Sequence, residues 1–209
     1  MKKFFVAAIA LIASAVSVNA ADLEWRVQAG LDLSKIKQEM PNNNYESDMK
    51  PGFNVGVRAD YPINNGMYVQ AGALVELKGG KFPGSSYSSY GVKTEDVKAN
   101  ALYLTIPIHF GYRYDFNENI GVFGDLGPYF GIGLAGKYKQ GDNKYDYFTS
   151  DGDRRRFDLG AGLRVGPEFK KKYSVALGAD WGIFNTEKDG NDDFKVRNFT
   201  FSVSLGYKF

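Results

Sequence analysis

The stretch that decides the fold is Leu102–Tyr114, which reads LYLTIPIHFGYRY. Every even-numbered residue in it is aliphatic or aromatic, whereas Thr105, His109 and Arg113 stand at odd positions. A period of two is typical of a β-strand whose faces meet different surroundings. The run is too long for an ordinary soluble strand but suits a strand that crosses a membrane. Pro107 lacks a backbone donor, so we expect a bulge or local break there.

The same alternation recurs along most of the chain. Apolar residues alternate with glycine or polar residues over 23–34, 52–61 and 68–77, where Leu74 is the one apolar residue out of phase. Further strands are predicted at Ile120–Gly136, Phe157–Phe169, Tyr173–Phe184 and Arg197–Phe209. The total is about eight, an even number, as bacterial membrane barrels require.

The predicted connections alternate in length. Short turns are expected at 62–66, 115–119 and 170–172, and longer polar loops at 35–50, 79–98, 137–156 and 185–196. Strict alternation places all long loops at one end of an antiparallel meander, as in outer-membrane barrels with short periplasmic turns and long outer loops. Both chain termini are then expected in the periplasm.

The polar face of the strands carries arginine and carboxylate residues. A soluble lipid-binding barrel also alternates, but with its apolar face inside. Here lysine is concentrated in loops and turns, whereas arginines and carboxylates share one face with many glycines, which suits a narrow closed lumen. We therefore predict a lumen charge network of Glu24, Arg26, Arg58, Asp60, Glu76, His109, Arg113, Asp125, Asp158, Arg164 and Asp180.

Aromatic residues mark the strand ends on the apolar face. Large rings, including Trp25 and Trp181, gather there as in the interfacial girdles of membrane barrels. The chain ends FSVSLGYKF, with Leu205, Tyr207 and Phe209 on the apolar face. This ending resembles the C-terminal signal that the barrel-assembly machinery reads in outer-membrane proteins, so we predict an assembly signal at these three residues.

Composition limits the other possibilities. The 209 residues include 26 Lys and Arg, 24 Asp and Glu, one His and no Cys. Residues 1–20 have the lysines, apolar run and small residues of a secretory signal cut after Ala20, which leaves one barrel domain over 21–209. Removing its two lysines lowers the formal charge from +2 to zero, so no nucleic-acid partner is expected. No disulfide, metal site or cofactor is expected.

Three further motifs carry a family resemblance. They are the strand Leu102–Tyr112, the segment GDLGPYF at 124–130 and the segment FDLGAG at 157–162, together with the aromatic C terminus. Over nearly all of residues 21–209 the chain resembles the PorT-like outer-membrane β-barrel family, which is related in architecture to small OmpA- and OmpX-type barrels. The resemblance implies an all-β, eight-stranded antiparallel up-and-down transmembrane barrel and no catalytic residue.

Three functions are compatible with these patterns. We favour a non-enzymatic barrel with a structural role or a surface role through its four long loops. About eight strands leave room only for side chains, so its lumen would be plugged by Arg–carboxylate pairs. The alternative is a narrow small-solute pore with charged rings that set selectivity. A lipid-modifying enzyme is a remote third, because the only histidine, His109, points into the lumen.

The long loops hold the candidate contact residues. The tract Ser85–Gly91 has the composition of binding loops and also of ordinary flexible ones. Lysines and arginines that could pair with lipopolysaccharide phosphates are Lys137, Lys139, Lys144 and Arg154–Arg156. Aspartates lie among them, so a loop whose charges neutralise one another is at least as well supported. Asp189–Asp193 lacks the later Gly and Glu of a calcium loop, so a hydrated loop is expected. The expected partners are outer-membrane lipid, lipopolysaccharide, the barrel-assembly machinery and a surface ligand or protein.

Overall fold

The computed structural model describes residues 23–84, 86–87, 92–93, 95–148, 154–187 and 194–209. The predicted signal peptide, most of the Ser/Tyr tract and all of Asp189–Asp193 lie outside these residues. Within the described segments, no helix is long and apolar enough to cross a membrane.

Eight long strands form the wall of the molecule. They are β1 (Glu24–Met40), β2 (Lys50–Asn64), β3 (Met67–Phe82), β4 (Val97–Asp115), β5 (Ile120–Gln140), β6 (Phe157–Phe169), β7 (Tyr173–Gly182) and β8 (Lys195–Lys208). Each strand pairs antiparallel with the next, and β8 pairs back with β1. The wall is therefore a closed eight-stranded antiparallel barrel, which confirms the predicted fold class.

The connections separate the barrel into two ends. The short turns that join β2 to β3, β4 to β5 and β6 to β7 lie at one end, here called the turn end. The remaining connections lie at the opposite end, the loop end. The shortest connection at the turn end is Asn65–Gly66, where φ is 49° and 85°. Asn-Gly is the preferred pair for a hairpin turn with two positive φ angles, so this turn is shorter than the five residues predicted.

All four predicted long loops are partly strand: β3 runs on to Phe82 in the loop predicted to begin at Gly79, β8 begins at Lys195, and the other two loops contain longer extensions. β1 runs on to Met40, and a short strand at Asn43–Glu46 folds back onto it. β5 likewise reaches Gln140 and pairs with Asn143–Asp146. The prediction that loops begin at Lys35 and Lys137 was therefore wrong. Backbone pairing continues into segments where the apolar alternation that marks a strand disappears.

The pairing of β4 is irregular at three places, one of which is a gap at Ile108 and His109 opposite Gly127 and Pro128 of β5. Pairing of β4 with β3 skips Ile106 and Pro107, and it resumes at Ile108 in an unchanged register. This is the local break that a proline without a backbone donor produces. The bulge itself lies elsewhere, where Leu102 and Tyr103 of β4 face Ala135 and Gly133 of β5. The extra residue is Leu134, and it reverses which face later β5 residues occupy.

The two faces of the wall differ as the alternation predicted. Outward residues such as Leu31, Leu126 and Leu205 are exposed, whereas Arg26, Arg58 and Arg164 are buried inside. Leu74, the apolar residue out of phase, is fully buried and faces inward. Outward rings pair near both ends: the Tyr173 and Tyr207 centroids are 5.3 Å apart at the turn end, and those of Trp181 and Phe199 are 6.0 Å apart toward the loop end.

Leu177→Arg tests the lipid-facing surface. Leu177 is 48% exposed and lies midway along β7 between the girdle residues Tyr173 and Trp181. We expect the substitution to destabilise the folded protein in bilayers by about 2–4 kcal/mol. Ile183→Arg, at an outward position beyond Trp181, is the matched control and should cost only about 0–1 kcal/mol. Equal costs in urea titrations of the two variants in liposomes would contradict this orientation.

Candidate functional site

The lumen is the most elaborate site in the described part of the chain. The alternation of each strand turns its polar residues inward, and the narrow circumference of eight strands brings them into contact. They form three groups along the axis. The turn-end cluster comprises Glu24, Arg26, Asp60, Arg113, Glu168 and Lys208; the central cluster comprises Arg58, Gln70, His109, Asp125, Arg164 and Asp180; the upper cluster comprises Asp32, Glu76, Lys78 and Asp158.

The turn-end cluster interleaves three cations with three carboxylates. Arg113 contacts Glu24 Oε2 at 2.9 Å, Asp60 Oδ2 at 3.0 Å and Glu168 Oε1 at 3.2 Å. Arg26 lies 2.7 Å from Glu168 Oε2 and donates to Ser174 Oγ at 2.6 Å. Lys208 Nζ contacts Glu24 at 3.1 Å. Residues from β1, β2, β4, β6, β7 and β8 therefore meet in one network, which ties the strands together across the lumen.

A histidine–aspartate pair occupies the central cluster. His109 Nδ1 is 2.6 Å from Asp125 Oδ1, and the Tyr68 hydroxyl donates to Asp125 Oδ2 at 3.2 Å. His109 is only 1% exposed. A Cβ atom at Gly162 would lie 3.0 Å from His109 Nε2 and 2.4 Å from Asp180 Oδ1. Only glycine at position 162 leaves room for both the His109 and the Asp180 side chains beside the β6 backbone.

The two arginines of the central cluster differ in their partners. Arg164 forms two hydrogen bonds with Asp180, at 2.8 and 3.1 Å, in the bidentate geometry typical of strong pairs. Arg58 instead donates to Gln70 Oε1 at 2.6 Å, and Gln70 in turn donates to Asp60 at 2.6 Å. Arg58 therefore reaches a carboxylate through an amide, which departs from the predicted direct pairing.

A small cavity lies beside Arg58. It has a volume of about 20 Å³ and is lined by Arg26, Arg58, Tyr68 and Asp125 among others. Nε and Nη2 of Arg58 have no hydrogen-bond partner among the described residues. The cavity has room for about one water molecule, and its charged and hydroxyl-bearing lining residues make it polar.

The upper cluster contains a buried lysine that the sequence reading did not single out. Lys78 Nζ is 2.9 Å from Glu76 Oε2 and 4.6 Å from the ring centroid of Tyr129. Glu76 also accepts a hydrogen bond of 2.7 Å from Thr105. Asp158 has no arginine partner among the described contacts; it accepts from Asn198 at 3.0 Å and from Tyr129 at 3.5 Å. This too departs from the predicted Arg–carboxylate pattern.

An apolar layer covers these clusters at the loop end. The mouth cluster consists of Ile36, Ala99, Ala101, Tyr103, Tyr147, Phe148 and Val196. The Phe148 centroid lies 5.7 Å from that of Tyr103 and 4.8 Å from that of Tyr147, with edge-to-face geometry. Five wall positions and two loop positions therefore meet over the lumen. The sequence reading missed this layer because the two loop residues lie in a segment without alternation.

Arg154 and Arg156 hold this covering in place. Arg156 donates to the carbonyl oxygens of Gly133 at 2.9 Å and Phe148 at 3.2 Å. Arg154 Nε donates to the Tyr138 hydroxyl at 2.9 Å, and its Nη1 lies 2.8 Å from Glu187. Burial alone would lower the pKa of Arg154, but the nearby tyrosines and Glu187 raise it above its usual value. Both arginines are thus occupied within the protein.

All eleven residues predicted for the charge network face inward, although Glu24 lies at the rim. The prediction omitted Glu168, Lys78 and Lys208, which the structure brings into the same contacts. The available signal was that each of these residues stands at the same parity as the other inward-facing residues of its strand. Glu168 shares the even positions of β6 with Asp158 and Arg164. In the described part of the chain, no group of three His, Cys, Asp or Glu residues is arranged to hold a metal ion.

Comparison with known proteins places the barrel in a family. The family model described as "Outer membrane protein beta-barrel domain" matches residues 14–188. The chain belongs to this family. It is an outer-membrane β-barrel protein of the small eight-stranded class, and no curated protein matches it significantly.

Several solved outer-membrane proteins are similar to the chain. Ail of Yersinia pestis is 17% identical, with 89% of this chain and 98% of that chain covered and a TM-score of 0.42. Neisserial surface protein A is 14% identical (88% and 97% covered, TM-score 0.46), and OprG of Pseudomonas aeruginosa is 12% identical (89% and 95% covered, TM-score 0.46). The likeness is one of fold.

Arg113→Ala tests the turn-end cluster. The substitution leaves three carboxylates without their shared guanidinium, and breaking a buried pair typically costs about 3–5 kcal/mol. Arg197→Ala is the matched control, because Arg197 pairs with Glu39 at 3.0 Å on the outer, partly exposed side of the wall. Its loss should cost about 0–1 kcal/mol. Urea unfolding in detergent measures both, and an unchanged midpoint for Arg113→Ala would indicate a hydrated lumen.

Proposed function

We propose that the protein is a closed, non-enzymatic outer-membrane barrel that acts through its loop end, with its lumen plugged by the three polar clusters and the mouth cluster. The observation that carries the proposal is the set of contacts along the axis. Gln70 joins Asp60 of the turn-end cluster to Arg58 of the central cluster, and Lys78 of the upper cluster lies 5.6 Å from the ring centroid of Tyr103 in the mouth cluster. Barrels of eight strands leave an interior that side chains fill.

A small-solute pore is the alternative that this packing argues against. The cavity beside Arg58, inside the barrel, has a volume of only about 20 Å³. Ions would have to separate pairs such as Arg164 and Asp180, and a buried charge that loses its partner is destabilised by several kcal/mol. The lumen charges therefore serve to hold the strands together rather than to select ions.

An enzymatic role is argued against by the position of the only histidine. His109 is buried beside Asp125 in the central cluster, away from the lipid face and from the loop end. A base must come within hydrogen-bond reach of its substrate. We propose a structural role for His109, which orients Asp125 and Tyr68.

The proposed setting is the bacterial outer membrane, with both termini in the periplasm and the loop end outside. Removal of residues 1–20 after Ala20 would leave the mature barrel, and a PorT-like relationship remains our suggestion for its subfamily. Outward basic residues at the loop end support contact with lipid or lipopolysaccharide headgroups. Lys35 and Lys37 lie 5.8 and 5.9 Å from the ring of Phe199, and they share Glu46 as their ion-pair partner, which leaves one positive charge of the three for headgroups at the girdle.

The C terminus is proposed as the assembly signal. Phe209, Tyr207 and Leu205 all face outward, and the Phe209 and Tyr207 centroids are 6.2 Å apart. Lys208, between them, turns inward to Glu24. An outward aromatic edge at the end of β8 is accessible to the assembly machinery before the barrel closes.

Deleting Phe209 should reduce outer-membrane insertion more strongly than Lys208→Ala. The first change removes the outward ring, whereas the second removes an inward ion pair and affects stability after insertion. The measurement is the fraction of membrane-extracted protein that migrates faster unboiled than boiled on gels, because a folded barrel is compact. Equal losses in the two variants would defeat the proposed signal.

Planar-bilayer recording tests the plug directly. We expect the intact protein to give no steady openings. The double variant Tyr147→Ala/Phe148→Ala, which lacks the rings over the mouth, should remain closed because the three polar clusters below it are intact. Heat-modifiable migration of the same samples verifies that the barrels are folded. Steady openings of the intact protein would overturn the plug and favour the pore; openings of the double variant alone would show that only the mouth is closed.

A further inference from the structure

A second cavity lies at the loop end, outside the lumen clusters. Its volume is about 410 Å³, within the range of small-molecule pockets. Four aromatic side chains line it: Tyr138, Tyr145, Tyr147 and Phe194. Arg154, Glu187, Asp146 and Gln38 supply its polar lining. Closure of the barrel does not require a cavity at this place, so closure does not explain why the cavity is present.

Contacts among its own residues hold the pocket in shape. Tyr138 and Tyr147 lie with ring centroids 4.7 Å apart and an interplanar angle of 32°. Arg154 is buried and joins the Tyr138 hydroxyl at 2.9 Å to Glu187 at 2.8 Å. The Arg154–Glu187 pair also links two different long loops through a backbone bridge. A fixed arrangement of this kind reduces the ordering cost of binding.

The chemistry of the lining selects a ligand class. A guanidinium group donates hydrogen bonds, a carboxylate accepts them, and an amide does both. Together they can bind a ligand whose neighbouring hydroxyl groups each donate and accept. Aromatic rings offer flat apolar faces to the C–H face of a ring-shaped ligand. Glu187 pairs with Arg154 at 2.8 Å, and Asp146 lies opposite Lys137 in the strand pairing, so the lining has no net charge that would favour an anion or a cation. The remaining class is a neutral ligand that is rich in hydroxyl groups.

We propose that this pocket binds a neutral saccharide. Tyr145, which is 57% exposed, provides the open stacking face, and Arg154, Glu187 and Asp146 bind hydroxyl groups. The inference rests on the proposed surface role of the loop end and names the class of its ligand. A saccharide of one or two hexose units fits the pocket and is available to a loop end that faces the outside.

The test titrates the folded full-length barrel in detergent micelles with defined probes. Methyl glucoside, methyl galactoside, methyl mannoside, lactose and N,N′-diacetylchitobiose represent neutral sugars; N-acetylneuraminic acid and choline represent an anion and a cation. Saturation-transfer NMR and calorimetry report binding. We expect one or more neutral sugars to bind and the two charged probes not to bind. Binding confined to either charged probe, or to none, overturns the proposal.

Two tyrosine variants make the test specific. Tyr145→Ala should weaken binding of the positive sugar about tenfold, the equivalent of one lost stacking or hydrogen-bonding contact. Tyr45→Ala is the matched control, since Tyr45 is 54% exposed at the same position of the other short hairpin strand and does not line the pocket. It should change affinity less than twofold. Equal effects of the two substitutions overturn the assignment. Bilayer conductance and heat-modifiable gel migration do not depend on sugar binding. A negative binding result therefore does not contradict the proposed closed barrel.

Discussion

Hydrocarbon offers no hydrogen-bond partner to a peptide group, and this constraint shapes the whole molecule. It requires that β8 return to β1, which it does from Arg26–Lys208 to Glu39–Lys195. Closure of only eight strands makes the bore narrow. A narrow bore in turn brings the inward side chains of opposite strands within a few ångströms of one another. The charges of the lumen are thus a consequence of the wall, and they must compensate one another because little water reaches them.

The clusters differ in how they achieve this compensation. At the turn end, Arg113 serves three carboxylates at once, and in the centre Arg164 and Asp180 form a bidentate pair. Lys78 combines one carboxylate with an aromatic face. Arg58 is linked to a carboxylate through the Gln70 amide, has two donors without a hydrogen-bond partner among the described residues, and lines a water-sized cavity. The buried charges are thus compensated by carboxylates, amides and aromatic rings, so the network is more than a series of Arg–carboxylate pairs.

Much of the barrel could be predicted from the sequence, because membrane strands have two strictly different faces. Leu102–Tyr114 and the inward parity of Arg26, Arg58 and Arg164 follow from that rule. Partners within the lumen could not be predicted, since alternation fixes a side chain's face but not its neighbour across the bore. The loop end was hardest. Tyr147 and Phe148 carry no alternation, and the bulge at Leu134 shifts Tyr138 to the inner face without any proline or glycine at that residue.

The pairing of the first strand with the last has a consequence for how the protein is made. Until the residues of β8 have been exported, β1 presents an open edge, and so does every incomplete sheet behind it. Such edges pair readily with other chains. A chain that ends before Lys195 lacks β8, so the open edges of its sheet can pair only with other chains. Cells that produce this barrel must keep its unfinished copies apart or degrade them.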